Sequence, residues 1–201
     1  MGLLRHFDLS LIEAQCFVET GLENGNGVDH ALSYEQFKEL HSIEINEKFY
    51  NFGCTKYKHV DRLNLWCGSS AERLEEVVES IAKFKSCFFW LDAHLPSDPG
   101  SRFKHDRKGD DIEFPLEREI EIITRNRDVS NDCFLIDDLR IYIDGPFQYP
   151  GSSWPHHKNY PDFFPHKEGI KFAEDAFGST HSIKQIYDHE GYLFVTPKDT
   201  K

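Results

Sequence analysis

Four short stretches of this 201-residue chain place acids, glycines or a histidine directly after apolar runs. Glu19-Thr20-Gly21-Leu22-Glu23-Asn24-Gly25-Asn26-Gly27 follows the first and Ser42-Ile43-Glu44-Ile45-Asn46 ends the second. Asp92-Ala93-His94 ends the third, and Asp137-Asp138 lies in the fourth. Ligands of open α/β sheets collect at the carboxyl ends of the strands, so four such ends read as one composite active site. Gly21, Gly25 and Gly27 let a strand turn sharply and bring backbone amides close to a ligand at a helix start. Glu44, 23 residues beyond Gly21, stands where an acid can hydrogen-bond both hydroxyls of a ribose. Glycines and acid together make a nucleotide-type site.

Asp92, Asp137 and Asp138 carry a second chemistry. Three hard oxygen ligands near one point suit Mg²⁺ or Mn²⁺, with water and substrate oxygens completing the shell. Such a cation would bind and acidify a hydroxyl. His94, two residues beyond Asp92, carries an imidazole, the side chain suited to proton transfer near neutral pH, and is the best local general base, or else a hydrogen-bond partner behind one. Asp144 is a spare acid. Arg140 could contact an acidic group on a substrate, although a surface salt bridge is the simpler account. His156, His157 and His166 crowd one segment without the cysteine or fixed spacing a zinc site needs.

These residues require strands and helices in alternation to bring them together. Strands are expected from Cys16 to Glu19, Leu40 to Ile45, Arg62 to Cys67 and Cys87 to Leu91. A fifth runs from Cys133 through Ile136 and is extendable to Ile143. Leu74, Val77, Val78, Ile81 and Phe84 recur at three- and four-residue steps, predicting a helix with one buried stripe. Ser69 and Glu72 stand at capping-box spacing before it. Further helices are expected around Val28 to Leu32, from Glu47, from Pro115 and over Glu168 to Phe177. Ser182 to Tyr187 and Gly191 to Thr196 are too closely linked for a crossover and must pair antiparallel. The expected fold is a Rossmann-like, doubly wound α/β sheet of about seven strands, mostly parallel with a C-terminal antiparallel pair. Residues 1–201 form one domain, with loop insertions about 95–113 and 145–167. The second insertion is rich in proline and aromatics, among them Trp154, Tyr160, Phe163 and Phe164, and reads as an ordered loop or lid.

Composition narrows the partners. A net charge of -12 disfavours a nonspecific grip on nucleic acid or anionic membrane. No apolar stretch is long enough to span a bilayer, and no signal peptide is evident. Five cysteines, Cys16, Cys54, Cys67, Cys87 and Cys133, are an odd number without CxxC spacing, which fits a reducing cytosol better than a disulfide framework. A small-molecule substrate is expected, and a homo-oligomer is compatible with the sequence.

Val18-Glu19-Thr20-Gly21 with Gly25 and Gly27, Ile43-Glu44-Ile45, and Gly68-Ser69-Ser70-Ala71 follow one another in the order that resembles the class I S-adenosylmethionine-dependent methyltransferases. The resemblance covers about residues 12 to 198. It implies that Glu19 lies near the methionine amine, Gly21 and Gly25 line the methionyl portion, and Glu44 holds the ribose. Ser69 and Ser70 would fall in the adenine pocket, where many relatives carry aspartate at the position of Ser69. Asp92 completes the implied cofactor set. Asp92, Asp137 and Asp138 also resemble the acids of the cation-dependent O-methyltransferases, both the catechol type and the sugar type, which implies Mg²⁺- or Mn²⁺-assisted methyl transfer to an oxygen of a small hydroxylated acceptor, a sugar-like one among the options. The alternatives are a metal-dependent hydrolase or group transferase on the same fold, or a non-catalytic module. The few residues before the first strand, which leave little for a helical cap, favour the module.

Overall fold

In the computed structural model the described residues are 4–93, 115–147 and 169–198. His94, most of both insertions and the three crowded histidines lie outside them. Seven strands form one sheet in the order β3-β2-β1-β4-β5-β7-β6. They are β1 (Cys16–Thr20), β2 (Glu39–Glu44), β3 (Leu63–Cys67), β4 (Cys87–Leu91), β5 (Cys133–Ile136), β6 (His181–Ile186) and β7 (Tyr192–Pro197). β1 to β5 are parallel, and β7 runs antiparallel to both β5 and β6. The chain winds outward through β2 and β3, then returns across β1 to start β4. That reversal opens a crevice between β1 and β4 at their carboxyl ends.

Alternate side chains of the strands build two cores. Val18, Phe89, Phe134 and Ile136 face α3 (Ser70–Ser80), α4 (Leu116–Asn126) and α5 (Lys171–Phe177). Phe17, Phe88, Trp90 and Leu135 face the other side, packed by Ala31 of α1 (Asn26–Leu32) and by Leu4, Leu9 and Ile12 of the N-terminal segment. β4 is buried along its whole length, as its continuous apolar run demands. α2 (Glu47–Lys56) lies beyond the glycine turn and is bridged to it by Gly53, whose backbone sits against Leu22 and Leu65. No helix among the described residues is long and apolar enough to cross a membrane.

Three local expectations are corrected. The fifth strand stops at Ile136 rather than running towards Ile143, because Asp138 takes a left-handed conformation (φ 52°) and starts a 3-10 turn over Leu139–Ile141. Aspartate tolerates that conformation better than most residues. The last helix begins at Lys171, after Gly169 at φ 66° breaks the approach. Ser69 does stand at the N-cap of α3, but its side chain makes no capping hydrogen bond.

Candidate functional site

The parallel ladder extends one residue past four strand ends and fixes the site's floor. Gly21 donates to the Ile43 carbonyl (2.9 Å), Gly68 to Glu44 (2.9 Å), Asp92 to Thr20 (3.2 Å) and Asp137 to Leu91 (3.1 Å). Gly21, Gly68, Asp92 and Asp137 therefore stand side by side along the carboxyl edge. Thr20 adds a second anchor, its Oγ1 accepting from the Asp92 amide at 3.2 Å.

Glycine is required at the turn for two different reasons. Gly21 has φ 93°, and a Cβ there would sit 3.0 Å from the Asp92 carbonyl oxygen, so β1 and β4 meet backbone to backbone. Gly27 leaves room for the Glu19 carboxyl, since a Cβ there would stand 2.0 Å from Glu19 Oε2. The other oxygen, Oε1, accepts from Ser42 Oγ at 2.7 Å. Ser42 is the register partner of Glu19 on the neighbouring strand, which is why its hydroxyl arrives there. Glu19 is 1% exposed, more enclosed than the sequence implies. Burial pushes its carboxyl up to about 8, with the Glu44 and Asp29 charges adding to the rise and the Ser42 hydrogen bond opposing it.

Glu44 joins the two loops that follow β1 and β2. Its Oε2 accepts from the Glu23 amide at 2.8 Å and its Oε1 from the Asn46 amide at 2.7 Å. Burial raises its pKa, and these two N–H groups oppose the rise. Each carboxylate oxygen has a second acceptor direction available to a hydroxyl. Ser69 and Ser70, both buried, follow the turn at Gly68.

The acids at β4 and β5 influence one another but have different partners. Asp92 is pushed up to about 8, chiefly by burial, with the Asp138 and Glu19 charges adding and the neighbouring Asp137 carboxyl opposing. Asp138 turns instead to Arg140, whose Nε donates to Oδ1 at 2.9 Å. Both side chains are buried, so this is not the surface salt bridge expected for Arg140. Among the described residues, no three His, Cys, Asp or Glu side chains are grouped so as to hold a metal ion. Asp92 nevertheless interacts with both Asp137 and Asp138, while the left-handed turn that ends β5 brings Asp138 to Arg140.

Sequence reasoning missed Ser42, Thr20 and the contacts of Tyr57. Ser42 and Thr20 were readable in principle, because register follows once Glu19 and Glu44 are aligned at adjacent strand ends. Tyr57 carried no local signal. Its hydroxyl reaches Gly25, 32 residues away in sequence. An open cleft of about 860 Å³ lies among the described residues at the amino edge of the sheet, lined in part by Ser86, Asn131, Leu135 and Pro197.

Strand order, the antiparallel end and the glycine turn define a class I S-adenosylmethionine-dependent methyltransferase-like fold. Solved structures share it. An O-methyltransferase from Bacillus cereus in complex with SAH is 12% identical, with a TM-score of 0.56 over 94% of this chain and 77% of that one. An SAH-bound methyltransferase from Podospora anserina is 16% identical, with a TM-score of 0.55 over 92% of this chain and 73% of that one. The N-methyltransferase NodS from Bradyrhizobium japonicum is 11% identical, with a TM-score of 0.54 over 97% and 93%. No protein-family model and no curated protein matches the chain. At these identities the likeness is one of fold, and the fold alone hosts both O- and N-methyltransferases.

Proposed function

We propose that this chain binds S-adenosylmethionine and transfers its methyl group to an oxygen of a small hydroxylated acceptor. The observation that carries the reading is Glu44, a buried acid that ties the glycine turn to the end of β2 and still has acceptor directions for a diol. The residues present fit the cofactor. Gly21 brings the floor to backbone level beside Asp92, and Glu19 is a buried acid whose raised pKa an approaching ammonium would lower. When bound, S-adenosylmethionine supplies a methyl group activated by its sulfonium.

In this proposal Glu44 holds the ribose, Ser69 and Ser70 border the adenine, and Gly21 and Gly25 line the methionyl part. Asp92 stands between the cofactor turn and the acceptor side of the crevice. It orients the acceptor hydroxyl, and either it or His94 takes the proton. Holding the oxygen in line with the methyl carbon accounts for much of the expected acceleration. The proposal does not depend on a cation; of the three acids expected to hold one, Asp138 is paired with Arg140. The acceptor's oxygen rests on the sequence resemblance, and the acids Glu19, Glu44 and Asp92 at the carboxyl edge favour an uncharged or cationic molecule over an anion.

Calorimetric titration with S-adenosylmethionine and with S-adenosylhomocysteine tests the reading. Both are expected to bind, and Glu44→Gln should weaken each by roughly tenfold or more, the loss of hydrogen bonds to a charged acceptor. Absence of binding of either form to folded protein would sink it.

A further inference from the structure

The glycine turn is held from two sides, and only one of them belongs to the strand-end motifs. On the inner side Glu44 accepts from the Glu23 amide. On the outer side the last turn of α2 reaches across. Tyr57 Oη donates to the Gly25 carbonyl at 2.8 Å and lies 2.9 Å from Asp29 Oδ1. Lys56 Nζ donates to the Asn24 carbonyl at 3.0 Å and to Asp29 Oδ2 at 2.6 Å. Tyr57 is buried, and its ring fits so closely that a Cβ on Gly25 would stand 2.1 Å from its oxygen.

We infer that Tyr57, assisted by Lys56 and Asp29, is the positioning residue of the glycine turn, setting the geometry that receives the cofactor; this rests on the proposed function above. Gly25 has φ 78°, so the carbonyl that Tyr57 grips belongs to the left-handed residue where the chain changes direction into α1. Fixing that carbonyl fixes the direction of the turn. A tyrosine hydroxyl has one hydrogen and here two acceptors. Lys56 partly neutralises Asp29, which keeps that hydrogen shared with Gly25 rather than drawn wholly to the carboxylate. Burial and the Asp29 charge hold the phenol in its protonated, donating form throughout the physiological range. The Lys56–Asp29 pair alone is partly exposed and too screened to do this. Phenol, ammonium and carboxylate together make α2 and the turn one unit.

Two arms test this on the whole chain. Hydrogen exchange on the unliganded protein compares wild type with Tyr57→Phe and Lys56→Met. Faster exchange confined to residues 23–29 supports the brace, whereas no change, or a change spread evenly over the sheet, overturns it. Calorimetry with S-adenosylhomocysteine then compares the same proteins. Tyr57→Phe should bind about five- to twentyfold more weakly, with protection of residues 23–29 regained on saturation. Binding by Tyr57→Phe as tight as wild type overturns the positioning role. Failure of wild type to bind at all refutes the cofactor reading instead, and leaves the exchange arm to decide whether the brace exists.

Discussion

Asp132 at the amino edge of the sheet and Glu19 and Asp92 at the carboxyl edge are buried acids in contrasting settings. At the amino edge Asp132 is 0% exposed, and its carboxylate is saturated. Arg127 donates to both oxygens, from Nε at 2.7 Å and from Nη2 at 2.9 Å, and the Cys87 amide adds 2.8 Å. Its backbone carbonyl receives His181 Nε2 at 3.1 Å. Burial raises the Asp132 pKa, and the arginine and the amide oppose it. This knot ties α4, β4, β5 and β6 together. At the carboxyl edge Glu19 meets the Ser42 hydroxyl and Asp92 the Asp137 carboxyl, and burial pushes both up to about 8. Acids satisfied by fixed donors hold a fold together, whereas acids held against their own charge store a preference for an incoming cation or a donated hydrogen bond. The difference marks the carboxyl edge as the candidate site independently of any motif.

Asp132→Ala should produce the largest effect. It leaves the Arg127 guanidinium, 7% exposed, without its buried counter-charge. Removing one partner of such a pair costs about 3–5 kcal/mol. Urea denaturation should show that loss without any change in the carboxyl-edge turn. A cost below about 1 kcal/mol would erase the contrast between the edges.

Glu19→Gln should act with the opposite sign. The folded carboxyl titrates at about 8 against an ordinary 4.5, so between those values the folded state keeps a proton that the unfolded chain has lost. Stability is then greatest below pH 4.5 and falls by about 1.4 kcal/mol per pH unit as pH rises towards 8. Replacing the acid with an amide removes this contribution, so the variant should be more stable than wild type at pH 7.5 and equal to it near pH 4. Denaturation midpoints across that range decide the matter. A Glu19→Gln protein less stable at pH 7.5 would mean that Glu19 is ionised and usefully paired.

Much of this contrast was legible in the sequence, for physical reasons that differ by residue. Continuous apolar runs such as Cys87 to Leu91 can only be central strands, and acids or glycines at their ends mark the carboxyl edge. That reasoning recovers the sheet, the antiparallel end, and the neighbourhood of Glu19, Gly21, Glu44 and Asp92. It does not reach the buried Asp138–Arg140 pair, because nothing in the order of residues says that the strand ends in a left-handed turn there. It fails for Tyr57 and Arg127 as well, since their partners are brought close by packing rather than by periodicity.

Ser69 offers the smallest and sharpest test. Its spacing to Glu72 suggests a capping box, and loss of such a cap costs about 1 kcal/mol. The structure gives Ser69 the N-cap position without the side-chain bond, while the backbone carries the turn: the Ser69 carbonyl accepts from Glu72 and Arg73 at 3.0 Å. Ser69→Ala should therefore change stability by less than about 0.5 kcal/mol. That near-neutrality makes the variant a clean probe of the ligand, because weaker S-adenosylhomocysteine binding cannot then be blamed on a frayed helix. Unchanged stability with weakened binding would place Ser69 against the adenine. Unchanged stability and unchanged binding would move the adenine off Ser69 and leave Ser70 as the hydroxyl to substitute. A full cap-sized loss of stability would show instead that the side chain caps α3 in solution, as the spacing predicts.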